Sequence, residues 1–235
     1  MGPPRGADQL DLALEQAEGA GRLPRRIRAM TASEGDRPFD DPDYLFEPWW
    51  PGSHLLVFVE GGRVWLQTEH LGDPLEGFPE LADVRRLVAG DGVVLDGTLL
   101  VIDAEGRPDP EALRRRLDRP TERVGQPGFV AHDLLFVDGI AIGRRPYAQR
   151  RDTLLTRLHE TDWCVVGRAY PEEGTTVAEA LADIGLATMS ARRLDAPYRP
   201  GDAGDAWLRI PLERVEAPAR RPSLALIQRL PLQVP

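Results

Sequence analysis

From about Phe39 onward the chain is cut into short apolar runs by glycine, proline and aspartate, and this punctuation constrains the fold more than any other feature. Runs of that length bounded by turn residues read as strands. Tyr44 to Trp49 is the first. His54 to Val59 and Val64 to Thr68 flank Glu60-Gly61-Gly62-Arg63. Two adjacent glycines supply the positive φ of a tight turn, so this stretch predicts a hairpin. Val93 to Asp96 and Leu99 to Asp103 predict strands on either side of a kink at Gly97. Phe129 to Val137 predicts a long strand closed by a turn at Asp138-Gly139. Trp163 to Gly167, Met189 to Leu194 and Ala206 to Ile210 predict three more. Apolar residues three and four apart predict helices over 8–18, 78–89, 110–117, 148–158 and 177–184. Strands outnumber helices but both recur, which places the chain in the α+β or mixed α/β class.

The 235 residues include no lysine and no asparagine, so every one of the 29 basic side chains is arginine. Against 38 acidic residues this leaves a net charge of −9. A protein that grips DNA on its own usually carries a basic face, so the balance predicts weak or indirect DNA contact. The doublets Arg25-Arg26, Arg144-Arg145, Arg150-Arg151 and Arg192-Arg193 read as solvated surface rather than a phosphate track. No apolar run approaches the roughly 20 residues of a membrane helix. Met1-Gly2-Pro3-Pro4-Arg5 lacks the apolar stretch of a signal peptide, and a single cysteine, Cys164, cannot close an internal disulfide. A cytoplasmic location follows. Cys164 beside Trp163 reads as packing, and the four histidines show no pair at zinc-ligand spacing.

Several stretches then point to one family. Arg37-Pro38-Phe39-Asp40-Asp41-Pro42-Asp43-Tyr44-Leu45-Phe46-Glu47-Pro48 is followed by Val94-Leu95-Asp96-Gly97, by His132-Asp133-Leu134-Leu135, by the segment Arg193 to Gly201, and by Trp207-Leu208-Arg209. Phe78-Pro79-Glu80-Leu81 and Gln149-Arg150-Arg151 lie between them. In this order and spacing they resemble the nucleotidyltransferase (adenylation) domain of bacterial ATP-dependent DNA ligases, especially the end-joining type. The resemblance covers about residues 27–212 and implies an ATP-grasp-like α+β fold of antiparallel sheets flanked by helices. It leaves 1–26 as an N-terminal arm or helix and 213–235 as a proline-rich tail, with nothing after Pro211 long enough for an OB domain.

The same resemblance marks where the family's chemistry is missing. The family motif Lys-x-Asp-Gly-x-Arg aligns with Trp49-Trp50-Pro51-Gly52-Ser53-His54, so Trp49 stands where the nucleophilic lysine would. Adenylation needs an amine that can lose a proton and attack the α-phosphate. Indole cannot, and guanidinium stays protonated. Thr98 and Ala187 stand at two glutamate positions, which removes carboxylates for magnesium. Arg192, Arg209 and Pro211 align with lysines that hold the α-phosphate, and Glu69 replaces an arginine. His132 takes an aromatic position in the adenine slot, and Glu47 is kept. The expectation is no catalytic residue and no metal site, with Glu47, His132, Arg192 and Arg209 as nucleotide-binding candidates. Trp49 and Trp50 are expected to fill the emptied cleft as core, with base stacking as the alternative. The function implied is a catalytically inactive pseudo-ligase that binds a protein partner in DNA repair or end joining. One alternative is ATP or AMP sensing without turnover. Another is a residual ligase using a non-lysine nucleophile such as His54.

Overall fold

The computed structural model describes residues 22–68, 73–213 and Ser223. The helix expected over 8–18, Glu69 and the apolar tail stretch from Leu224 to Ile227 lie outside the described residues.

Two sheets meet face to face. The first has six strands: β4 (Ser53–Glu60), β5 (Arg63–Thr68), β6 (Val93–Ile102), β7 (Gln126–Val137), β8 (Ile140–Ala141) and β9 (Cys164–Val166). Their order is β5-β4-β6-β7-β8, with β9 pairing parallel to β7 and the rest antiparallel. The second runs β10-β3-β11-β13-β2, from β10 (Tyr170–Glu172), β3 (Asp41–Pro48), β11 (Thr188–Arg193), β13 (Trp207–Pro211) and β2 (Ser33–Glu34). A two-stranded piece pairs β1 (Met30–Thr31) with β12 (Gly201–Asp202). The helices are α1 (Val84–Leu87), α2 (Pro110–Asp118), α3 (Tyr147–Arg157) and α4 (Gly174–Asp183). The hairpin expected at Gly61-Gly62 is present, and both glycines have positive φ.

The strand period of two explains the layering. In β4, Leu55, Val57 and Val59 face a core shared with Phe78, Leu81, Val84, Leu113 and Leu154 on the helical side. Leu56 and Phe58 point the other way, to a core with Ile27, Met30, Tyr198 and Trp207. Both faces of the central sheet are therefore covered, which is why β4, β6 and β7 read as nearly continuous apolar runs. A further cluster joins Leu100 and Val130 of the six-stranded sheet to Phe46, Met189, Ala191 and Ile210 of the five-stranded one.

Two expectations need correction. The strands expected on either side of Gly97 are one continuous strand, with a register shift between Asp96 and Gly97 instead of a break. Gly97 lies so close to β7 that an added Cβ would sit 2.3 Å from the Val130 carbonyl oxygen, so only glycine fits there. The helix expected over 78–89 is a 3-10 turn, Pro79–Asp83, and a single α turn, Val84–Leu87. It stops because Val88 turns extended and bridges Leu158, with Ala89 N donating to Arg157 O at 2.7 Å and His159 N to Leu87 O at 2.7 Å. Tertiary backbone pairing overrides the helical pattern.

Candidate functional site

The sheets converge on a cleft of about 290 Å³. The five-stranded sheet supplies Glu47 from β3, Ser190 and Arg192 from β11, and Trp207 and Arg209 from β13. The members of each of the last two pairs are two positions apart, so strand alternation turns both the same way. The six-stranded sheet supplies His54, Asp96, Thr98 and His132, and the β3–β4 connection supplies Trp49 and Trp50. The four residues expected to bind nucleotide thus line one cavity, and Trp49 lines it with them.

Glu47 is its electrostatic hub. It is 1% exposed. Tyr147 Oη donates to its Oε1 at 2.6 Å, and Arg151 Nη1 stands 3.3 Å from the same oxygen. His132 Nδ1 lies 3.3 Å and Arg192 Nε 3.5 Å from Oε2. Burial pushes the carboxyl up, but His132, Arg192 and Arg151 outweigh it and hold the group down to about 2. The Thr98 hydroxyl contacts His132 Nε2 at 3.1 Å.

A second buried chain lies beside the first. Met30 N donates to Tyr198 Oη at 2.8 Å, Tyr198 Oη donates to Asp96 Oδ2 at 2.6 Å, and Asp96 Oδ1 meets His54 Nε2 at 2.8 Å. Burial raises the Asp96 carboxyl, yet His54, Arg192 and Tyr198 bring it below its usual range. Asp133 is farther in: Arg150 Nε and Nη2 take its two oxygens at 2.8 and 2.7 Å. Among the described residues no group of three or more His, Cys, Asp or Glu is placed to hold a metal ion.

The cleft wall is a ladder of rings and guanidiniums. Arg209 stands over the Trp49 ring at 5.2 Å, Trp49 and Trp207 lie 5.7 Å apart at 30°, and Arg192 stands 3.9 Å over Trp207. On its other side Arg192 is 5.5 Å from the Tyr147 ring. Such contacts contribute roughly 0.5–2 kcal/mol each, more where desolvated. Trp207 Nε1 donates to Ser190 Oγ at 2.8 Å. The two tryptophans part ways. Trp50 is core, packed with Phe46, Leu100 and Val130, whereas Trp49 is only half-buried and leaves the cavity open. Ala187 and Pro211 are not among the lining residues.

The arginine doublets are corrected in part. Arg25, Arg26, Arg144 and Arg145 are exposed, but Arg150, Arg151 and Arg192 are buried because carboxylates and carbonyls inside the sheets receive them. Sequence reasoning missed Tyr147 and Arg151 as partners of Glu47. The available signal was their spacing of four on one helix, which puts both on one face. Cys164 is buried, and burial pushes its thiol up to about 12, so it packs.

A two-sheet α+β frame with this cleft defines a DNA-ligase-type nucleotidyltransferase fold. The particular relatives make the kinship explicit. Over 169 residues the chain is 32% identical to DNA ligase C1 of Mycolicibacterium smegmatis, covering 67% of this chain and 49% of that protein. Over 166 residues it is 30% identical to LigD, the multifunctional non-homologous end joining DNA repair protein of Mycobacterium tuberculosis, covering 71% of this chain and 21% of that one. A solved mycobacterial DNA ligase D complexed with ATP and MES superposes with a TM-score of 0.65 at 27% identity, over 78% of this chain and 59% of that one. The chain is a homologue of ATP-dependent DNA ligases and matches their adenylation domain. It spans about half the length of DNA ligase C1 and about a fifth of LigD. No family model matches the chain. Among the described residues no helix is long and apolar enough to cross a membrane.

Proposed function

We propose that this chain is a pseudo-ligase, an adenylation domain that binds and does not transfer AMP. The observation that carries the reading is Trp49. By the motif resemblance it takes the place of the family's nucleophilic lysine, and it lies between Arg209 and Trp207 in a chain that has no lysine anywhere. The two buried carboxylates that line the cleft support it: Glu47 is held by Tyr147, His132 and the guanidiniums of Arg151 and Arg192, and Asp96 by His54 and Tyr198. Neither is left to anchor magnesium. The working partner on this reading is a protein of cytoplasmic DNA repair or end joining, with DNA contact weak or indirect.

A second reading is favoured by the open cavity. His132, Arg192 and Arg209 converge on it, which suits a nucleotide held without turnover. A third, with His54 as nucleophile, finds less support, because Asp96 already engages His54 and no carboxylate set holds a metal among the described residues.

The test is nick sealing. The purified chain is incubated with ATP, magnesium and a singly nicked duplex. The expected result is neither sealed product nor adenylated DNA. Sealed product above a no-protein control would overturn the pseudo-ligase reading.

A further inference from the structure

β5 is the outer strand of the six-stranded sheet, and the chain ahead of β1 lies across one face of it. Four hydrogen bonds fix that segment. Leu23 N donates to Glu60 Oε1 at 2.6 Å, and Trp65 Nε1 donates to the Arg25 carbonyl at 3.2 Å. Ile27 N donates to Gln67 Oε1 at 3.0 Å, and Gln67 Nε2 donates to the Ile27 carbonyl at 2.6 Å. Leu23 and Ile27 are buried in one cluster with Leu56 and Phe58. Between segment and hairpin lies a groove of about 580 Å³, walled by Arg22, Leu23 and Arg25 and by Glu60, Arg63 and Trp65. It shares no lining residue with the cleft between the sheets. Both of its walls are held by the fold, so its shape is preformed.

Its charge runs against that of the molecule. Arg22, Arg25 and Arg63 are exposed, and among the described residues none has a carboxylate partner. Elsewhere on the surface the exposed Arg86, Arg114 and Arg119 do pair with carboxylates, at 3.3, 2.8 and 3.0 Å. In the groove three guanidiniums stand with one carboxylate, Glu60, which Leu23 N already engages. In a chain of net charge −9 this is a local reversal of sign. Trp65 is half-buried and stacks on Phe58, with ring centroids 5.0 Å apart at 11°, so its indole is held in place. Arginine and tryptophan are the side chains that most often carry the binding energy of protein interfaces.

Guanidiniums select carboxylates or phosphates. The tryptophan decides between them. An extended acidic peptide can lay an apolar side chain on Trp65 while its carboxylates reach the guanidiniums. A DNA duplex presents phosphates on a rigid outer ridge and has no apolar side chain to fill the groove. The negative charge of the rest of the surface turns an acidic segment away, which restricts where it docks.

We propose that this groove docks an acidic peptide segment of a partner protein, with an apolar side chain against Trp65 and carboxylates on Arg22, Arg25 and Arg63. This rests on the reading of the chain as a binding protein and names the chemistry of its partner.

The test is fluorescence anisotropy of the full chain with a labelled peptide rich in glutamate and carrying leucine and tryptophan. Parallel probes are the same peptide with lysine for glutamate, the same peptide with serine for leucine and tryptophan, and a labelled DNA duplex. The glutamate peptide is expected to bind, more weakly as salt rises, and each altered peptide to bind about tenfold or more weakly. Arg25→Glu combined with Arg63→Glu is expected to weaken the glutamate peptide by about tenfold or more. Both side chains are exposed and the fold uses only the Arg25 carbonyl, so the variant should fold, which circular dichroism checks. If it does not fold, the peptide series and the salt dependence on the natural protein carry the test. No binding of the glutamate peptide, or binding unchanged in the folded variant, overturns the proposal. A duplex that binds more tightly than the peptide and is lost in the variant makes the groove a nucleic-acid surface and overturns it too. So does self-association of the chain that the variant abolishes, which would make the occupant a second copy. None of these outcomes touches the pseudo-ligase reading, which nick sealing tests separately.

Discussion

Replacing Arg150 with methionine is expected to destabilise the fold by about 3–5 kcal/mol, read from urea unfolding at neutral pH. Arg150 and Asp133 are 1% and 0% exposed, and the guanidinium covers both carboxylate oxygens. The same group donates to the carbonyls of Arg145 and Ala196, which ties α3 to the chain leaving β11. Methionine keeps much of the volume and removes every donor, so Asp133 is left as a buried charge without its counter-ion. That uncompensated charge, rather than the Coulomb energy of the pair, is the source of the loss. The double variant Arg150→Met with Asp133→Leu should recover much of it, because replacing both partners removes the buried charge. A loss below about 1 kcal/mol for the single variant would mean that Asp133 is not committed to Arg150. Asp133 would then be available for other chemistry.

The second large effect belongs to Glu47. Its folded carboxyl sits at about 2, against an ordinary 4.5. A depressed carboxyl contributes stability that is fully present above pH 4.5 and is lost as the pH falls from 4.5 to about 2. The shift corresponds to on the order of 3 kcal/mol. Glu47→Gln should therefore be destabilised at neutral pH by about that amount or more, since the buried guanidiniums of Arg151 and Arg192 lose their counter-charge. The gap between natural protein and variant should close as acid protonates Glu47. Urea unfolding at pH 7, 4 and 2.5 measures it. A gap that stays constant across the series would show that the charge on Glu47 contributes nothing to the fold.

These residues also show how far the sequence could be read. The strands were legible because both faces of the central sheet are buried, so β4, β6 and β7 carry apolar residues at nearly every position. The Gly61-Gly62 hairpin was legible for a local reason, the positive φ that both glycines adopt. The end of α1 was not, because it depends on Val88 pairing with Leu158, which lies 70 positions later in the chain. For the site, family spacing located Glu47, His132, Arg192, Arg209 and Trp49, and all five line the cleft. What spacing did not yield was their wiring. Nothing local distinguishes Arg150 and Arg151, buried against carboxylates, from Arg144 and Arg145, which are exposed. Only the folded sheets bring Glu47 to Arg151, 104 positions away. The division between Trp50 in the core and Trp49 at the cleft follows from strand β3 ending at Pro48, which no periodicity announces.

The claim that the cleft binds without chemistry is tested most directly by intact-mass spectrometry of the natural protein after incubation with ATP and magnesium. The account predicts a single unmodified mass at every time point. A species heavier by one AMP would contradict it, and its loss on replacing His54 with alanine would identify the nucleophile that this account denies.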